Sequence, residues 1–296
     1  MHSVHTYQIL NHYTSPHELD PGFEVLDNSA NQRPDWYEYW PIRTFLLNQP
    51  LDENAFYGFL SPKFKLKTNL GAAEVRAFIE ASPPDTDVVL FSPSIHNSAF
   101  FLNVFEHGNA EHPGLSEVAR SFFSRIGHMQ PLEVLVSDSR NTVHSNYFIA
   151  KPRFWRAWLN ITEQLFAIAE MPEDSLGIQL RAPTQYRGRR DVQMKIFLME
   201  RIATWILITD RSLVARARDP FAARSRIYKL PLAIMCDALK IAYSTQGRKQ
   251  YKDVFLMLRG FAKLWTLQIR AAGAFKVGSA RHSLQTLKSY WDKKAE

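Results

Sequence analysis

Glu200 is an acid set into an apolar helical stripe. In MKIFLMERIATWIL (Met194–Leu207) it lies only about 40° round a helix from Ile196 and is flanked by Phe197 and Thr204. A carboxylate on such a face is costly to bury unless it is paired or used. Arg201, Arg181 and Arg187 are its candidate partners. Glu200 therefore reads either as half of a salt bridge or as a base that also holds substrate hydroxyls. Three other segments carry groups of this kind. DNSANQRPDWYEYWPIRTFLL (Asp27–Leu47) sets Asn28, Asn31, Arg33, Asp35 and Glu38 among Trp36, Tyr37, Tyr39 and Trp40. Amides and acids can bond ribose or sugar hydroxyls, and aromatic faces stack on flat rings. The same pattern also fits a helix start with a half-buried aromatic face. In FYGFLSPKF (Phe56–Phe64), Gly58 beside Tyr57 opens the backbone to close approach, and Lys63 and Lys65 could face a diphosphate. Solvated lysines after an edge strand are the plainer alternative. In SDSRNTVHSNYFIAKPRFW (Ser137–Trp155), Asp138, Ser145 and Asn146 sit at a strand end, where open α/β sheets bind ligands. Asp138 and Glu200 are the candidate catalytic acids, and Arg201 joins the substrate-binding set.

Familiar catalytic signatures are missing: no G-x-G-x-x-G, P-loop, H-E-x-x-H or G-x-S-x-G occurs. Asp85-Thr86-Asp87 reads first as a polar start to the strand DVVLFS and second as a pair that could hold a divalent metal. His2, His5, His12 and His17 are irregularly spaced, which fits a chance cluster better than a metal site. The single cysteine, Cys236, excludes an internal disulfide framework and falls in an apolar helical pattern, as a buried thiol would.

The elements that must position these residues alternate in type. Residues 1–26 read as short, turn-broken pieces. A helix is expected over Asp35–Leu47, shortened by Pro41, and others over Ala72–Ala81, Leu115–Ile126, Arg153–Glu170 and Asp191–Thr209. Strands are expected at Phe56–Leu60, Asp87–Ser92, Leu132–Val136 and Asn146–Ala150, with a loop over Met171–Arg190. This alternation predicts a layered α/β domain over residues 1–210. Residues 211–296 turn helical, at Leu230–Tyr243 and Gln250–Ala272, with linkers at Arg224–Lys229 and Thr245–Lys249.

The chain has 296 residues, and its apolar share of 46% is enough for a substantial core. Its charge is divided. Residues 211–296 hold eighteen basic and five acidic side chains, a balance of +13, whereas residues 1–210 balance at −6. Arg248, Lys252, Arg259, Lys263 and Arg270 fall on one helical face, with Val254, Leu258, Phe261 and Trp265 opposite. The expectation is a helix docked by its apolar side, with the basic face resting on an anionic membrane surface rather than on nucleic acid. No secretory signal and no apolar run of about 20 residues is seen, so a cytoplasmic protein is expected, peripheral on the inner membrane face.

Ordered short motifs carry a resemblance over residues 25–210. They are an N-x-x-N region (Asn28, Asn31), an aromatic helix with Glu38, Asn48, the strand Tyr57-Gly58-Phe59-Leu60, the strand N-Y-F-I-A-K before a Phe-Trp helix, a loop with Tyr186 and Arg189/Arg190, and the helix F-L-M-E-R-I-A-T-W-I-L. In this order the chain resembles the small glycosyltransferases of capsule, exopolysaccharide and lipopolysaccharide clusters. Where those relatives continue into an H-Y-R-R-like motif, this chain reads Ser61-Pro62-Lys63-Phe64. The resemblance implies a Rossmann-like α/β core of GT-A type, to which the basic helical region 211–296 is a C-terminal appendage. It implies transfer from a nucleoside-diphosphate sugar, with Mn2+ or Mg2+ as a cofactor, to a growing, lipid-linked saccharide acceptor. It places Asn28 and Asn31 near the donor, Asn146 near the acceptor and Glu200 in or beside the active centre. Two other classes stay open: a non-enzymatic basic adaptor on membrane or nucleic acid, and a hydrolase using paired carboxylates such as Asp138 and Glu200.

Overall fold

The computed structural model describes residues 3–93, 95–186, 189–221 and 230–262, without the side chains of residues 185–191. The expected linker at 224–229 lies outside the described residues. Two compact units are present, Met1–Ile227 and Tyr228–Glu296.

The first unit is built on a six-stranded mixed sheet, compatible with a Rossmann-like fold. Its strands are β1 (Val4–Asn11), β2 (Glu24–Asn28), β3 (Phe56–Leu60), β4 (Val88–Leu90), β5 (Phe148–Ala150) and, after the helices below, Ala215–Ala217. The spatial order is β2-β1-β3-β5-β4 and then Ala215–Ala217. Every strand runs parallel to the others except β5, which is antiparallel to both neighbours. Because Ala215–Ala217 belongs to this sheet, the first unit extends past the boundary expected at residue 210.

Strand residues alternate between two cores. Tyr57, Phe59, Val88, Leu90, Phe148 and Ala150 face one apolar cluster; Phe56, Leu60, Val89 and Ile149 face the other. Both faces are buried, as expected of a largely parallel sheet. The larger core is covered by α1 (Tyr39–Asn48), α5 (Val104–Glu111), α6 (Leu115–Arg125), α7 (Pro152–Glu170), α8 (Ser175–Arg181) and α9 (Met194–Thr209). The smaller is covered by α2 (Phe64–Thr68) and α3 (Ala72–Glu80); a single turn, α4, spans Ile95–Ser98.

Several expected elements change. Residues 1–26 are not broken pieces: they supply β1 and β2. The expected strand at Leu132–Val136 is a short 3-10 turn over Leu132–Val134. Its carbonyls are claimed by a side chain, since Asn103 Nδ2 donates to Leu132 O at 2.8 Å and Leu135 O at 2.9 Å. The expected loop after α7 contains α8, capped by Asp174 Oδ1, which accepts from the N–H groups of Leu176 and Gly177. It also contains a hairpin of β6 (Pro183–Tyr186) and β7 (Arg189–Gln193), which makes Ala215–Ala217 β8. The helix expected from Asp35 is instead a 3-10 turn at Pro34–Trp36 followed by α1, with Pro41 in the first turn of α1, where it costs no hydrogen bond.

The second unit holds α10 (Leu230–Gln246) and a helix at 249–262, here α11. Lys263, Trp265 and Arg270 lie outside the described residues. The expected orientation of α11 is reversed in part: Val254 and Phe261 are exposed and Lys252 and Arg259 half-buried, while Leu258 is half-buried and Arg248 exposed as expected.

Candidate functional site

Reversal of β5 gives one rim of the sheet its character. The carboxyl ends of β1 to β4 meet the amino end of β5 along this edge. The rim collects Asn11, Asn28, Ser61, Ser92 and the turn Ser145–Asn146. Asn28 Nδ2 donates to Asn11 Oδ1 at 3.3 Å, and Asn11 Nδ2 donates to the Tyr13 hydroxyl at 3.1 Å. Asn31 adopts φ 43° in the turn after β2, its N–H donating to Asn28 O at 3.1 Å.

Backbone strain is concentrated here. Tyr37, between the 3-10 turn and α1, has φ 48° and ψ −130°, and Ser145 and Asn146 are left-handed in succession at φ 59° and 54°. Such conformations cost about 1–3 kcal/mol each and persist only where the surroundings enforce them. Around Tyr37 the enforcement is visible. Arg33 donates to Asp35 at 2.9 Å and 3.0 Å and to Glu170 of α7 at 2.7 Å. Lys195 of α9, only 1% exposed, donates to Asp35 at 2.7 Å and lies 4.0 Å over the Trp36 ring. On the other side, Tyr39 and Arg43 both donate to Glu163 Oε1, at 2.7 Å and 2.6 Å. Arg33 is thus a fastening for this segment and not a free ligand group.

The fastened segment presents Glu38. Its side chain is half-buried, and no hydrogen bond or ion pair reaches it among the described residues. Burial pushes its carboxyl up to about 7; the charge of Glu200 adds to the rise, and Lys67 and Lys63 oppose it. Glu200 projects from α9 into the same field. Its nearest cation is Arg201, at 3.9 Å, and burial raises its carboxyl as well, against the pull of Arg201 and Lys67. A small cavity beside it is lined by Val104, Val143, His144, Ser145 and Arg201. Lys67, from α2, donates to Ser145 Oγ at 3.0 Å and lies 5.3 Å from the Tyr147 ring centre. The Tyr147 hydroxyl lies 2.6 Å from Ser61 Oγ, and burial pushes its pKa up and so disfavours its ionisation. Asn146 Oδ1 is buried without a hydrogen-bond partner, and Tyr13 and Tyr37 stand exposed beside Glu38.

Compared with protein-family models, curated proteins and solved structures, the chain matches none.

Of the residues expected from sequence, Asn28, Asn31, Ser145, Asn146 and Glu200 border this rim, and the exposed Lys63 acts on Glu38. Others do not. Asp85 and Asp87 precede β4 and so lie at the opposite, amino edge of the sheet. There Asp87 accepts from Val214 N–H at 2.9 Å and faces Arg153 at 3.6 Å. The residues present do not fit a metal pair for chemistry at this rim. Tyr57 is buried, its hydroxyl accepting from Asp52 N–H at 2.9 Å. Gly58 makes room for a neighbouring strand and not for a ligand: a Cβ there would fall on Ile149. Asp138 is fully buried under a two-pronged pair with Arg140, at 2.9 Å and 2.8 Å. Arg201 is turned inward, its guanidinium donating to Val104 O at 3.1 Å and to Phe197 O. Its fit depends on Gly108, where any side chain would collide with it.

Lys67, Tyr147 and Asn11 are the groups that sequence reading passed over, whereas Glu38 is among the polar groups it names. Glu38 was visible among its aromatics, but Asn11 ends a strand with no plain apolar alternation, and Lys67 gives no local signal. A separate open cavity of about 560 Å³ is lined by His128, Ile161, Trp205 and Asp210 among others; it contains none of these carboxylates or lysines.

Proposed function

We propose that the chain is a glycosyltransferase that uses a nucleoside-diphosphate sugar and moves its sugar to a saccharide acceptor. The observation that carries this reading is that Glu38 feels the charges of Glu200, Lys67 and Lys63, with Lys67 bonded to Ser145, at the carboxyl rim of an α/β sheet, where such folds bind ligands. Sugar transfer needs a group to take the acceptor proton and positive charge to stabilise the leaving diphosphate. Glu38 supplies the first: a carboxyl near 7 is about half ionised at neutral pH and a stronger base than an ordinary carboxylate. As the acceptor oxygen bonds to the anomeric carbon, its proton passes to Glu38 and the bond to the diphosphate breaks. Lys63 and Lys67 face the departing charge. Glu200 and the Asn146 amide hold sugar hydroxyls, and Asn11, Asn28 and Asn31 offer amides to the donor. A core of GT-A type belongs to the same proposal.

The test is thermal stabilisation by UDP-, GDP-, TDP- and CMP-sugars, with and without Mn2+ or Mg2+. A donor that raises the melting temperature and is consumed only with an added saccharide supports transfer. No shift across the panel would leave the basic adaptor as the better account. Glycoside hydrolysis is the second reading, favoured by the raised carboxyl of Glu38 beside a second acid. Release of free sugar without an acceptor would select it.

A further inference from the structure

The second compact unit is turned partly inside out. Its interior holds Asp237 and Lys240, 3% and 2% exposed, beside Ala233, Cys236, Phe255 and Ala262. Burial pushes the Cys236 thiol up to about 11, and the charges of Lys240, Arg259 and Asp237 all reach it. Asp237 and Lys240 of α10 are therefore drawn inward, with Lys252 and Arg259 of α11 half-buried. Three apolar side chains of α11 are outside: Val254, Met257 and Phe261 are 39%, 54% and 56% exposed. With Leu258 they span an arc of about 100° on α11, and Ile234 and Met235 add exposed apolar surface on α10. Contiguous exposed apolar surface of this kind marks a docking site for another apolar phase.

Charge identifies the occupant. Residues 228–296 carry thirteen basic and four acidic side chains, a balance of +9, and Arg248 and Lys249 are exposed at the start of α11. We propose that Val254, Met257 and Phe261 insert into the surface of an anionic lipid bilayer, with the exposed Arg248 and Lys249 meeting its headgroups. Nucleic acid would match the charge but offers no apolar phase for the stripe. An ordinary protein partner would cover the stripe but does not require a charge of +9. An anionic bilayer satisfies both, by apolar insertion together with attraction between basic residues and its headgroups.

The full chain should sediment with phosphatidylcholine vesicles containing phosphatidylglycerol, and much less with pure phosphatidylcholine. M257E/F261E should bind about tenfold or more weakly, with circular dichroism and melting unchanged because both side chains are exposed. Since the sole natural cysteine is buried, F261C can be labelled selectively with an environment-sensitive dye, whose emission should shift to the blue on addition of anionic vesicles. Vesicle binding that is indifferent to M257E/F261E, a dye unmoved by vesicles, or self-association without lipid that M257E/F261E abolishes would each overturn the proposal. Sugar-nucleotide binding is not involved in these readouts, so their failure leaves the transferase reading to its own test.

Discussion

The hydroxyl of Thr204 accepts the backbone N–H of Val143 at 2.8 Å. Thr204 lies one helical turn beyond Glu200 on α9, and Val143 opens the segment that leads to Ser145 and Asn146. One buried bond thereby fixes the strained turn against the helix that bears the acid. T204V keeps the shape but leaves a buried donor unmet, at a cost of about 1–3 kcal/mol. Urea denaturation should show that loss, and T204S should restore most of it. Turnover of the donor should fall in T204V by more than its folded fraction does; turnover that tracks the folded fraction would reduce the bond to a structural role.

Glu38 makes stability depend on pH. Between the ordinary carboxylate range and about 7, the unfolded chain has released this proton while the folded chain retains it. The folded state then binds more protons, so this contribution is present at low pH and is lost as pH rises through about 7. E38Q should flatten that slope and stabilise the protein above pH 7 by on the order of 1 kcal/mol. Melting temperatures from pH 5 to 9 measure it. On the proposed transferase reading, wild-type transfer should accelerate as pH rises through about 7, and E38Q should lose about 100-fold or more in rate.

Asp35 works in the opposite sense. Burial disfavours its charge, but bonds from Arg33 and Lys195 outweigh that and hold its carboxyl down to about 2. Its stabilisation is complete above the ordinary carboxylate pKa and is lost as pH falls towards 2. D35N leaves Lys195 buried without its anion, and about 2 kcal/mol should disappear at pH 7. The gap between D35N and wild type should narrow as the pH is lowered towards 2. A constant gap would mean that the carboxylate charge contributes nothing.

Gly58 tests strand packing. G58A drives a methyl into Ile149 across the β3–β5 pair and should cost about 1–3 kcal/mol. I149A on its own also destabilises, by opening a cavity. The double variant should be less destabilised than the sum of the two, because each change removes the other's defect.

Helices and strands with a plain period were readable in advance. Phe56–Leu60 is a strand as expected, and the stripe from Phe154 to Ile168 forms the buried face of α7. β1 was not readable because its polar residues are inside. Gln8 is 1% exposed and spends both ends of its amide on backbone, donating to Ser61 O and Pro62 O and accepting from Asp20 N–H. That satisfaction comes from residues far along the chain, so no local pattern reveals it. The site divides in the same way. Asn146 and Glu200 stood out by type and local setting. Lys67 and Tyr147 gain their meaning only when α2 is laid against the start of β5.

Reversal of β5 has a consequence for how this protein can diversify. Were β5 parallel to its neighbours, Ser145 and Asn146 would stand at the far rim with Asp87, and the acids would face a bare edge. Because it runs backwards, the approach to a strand and the departures from four others share one border. Insertions at the amino rim, such as between Pro83 and Asp87, would leave that border untouched. Length changes in residues 139–146 would redraw it directly, and that stretch is the natural place to alter which molecules the protein accepts.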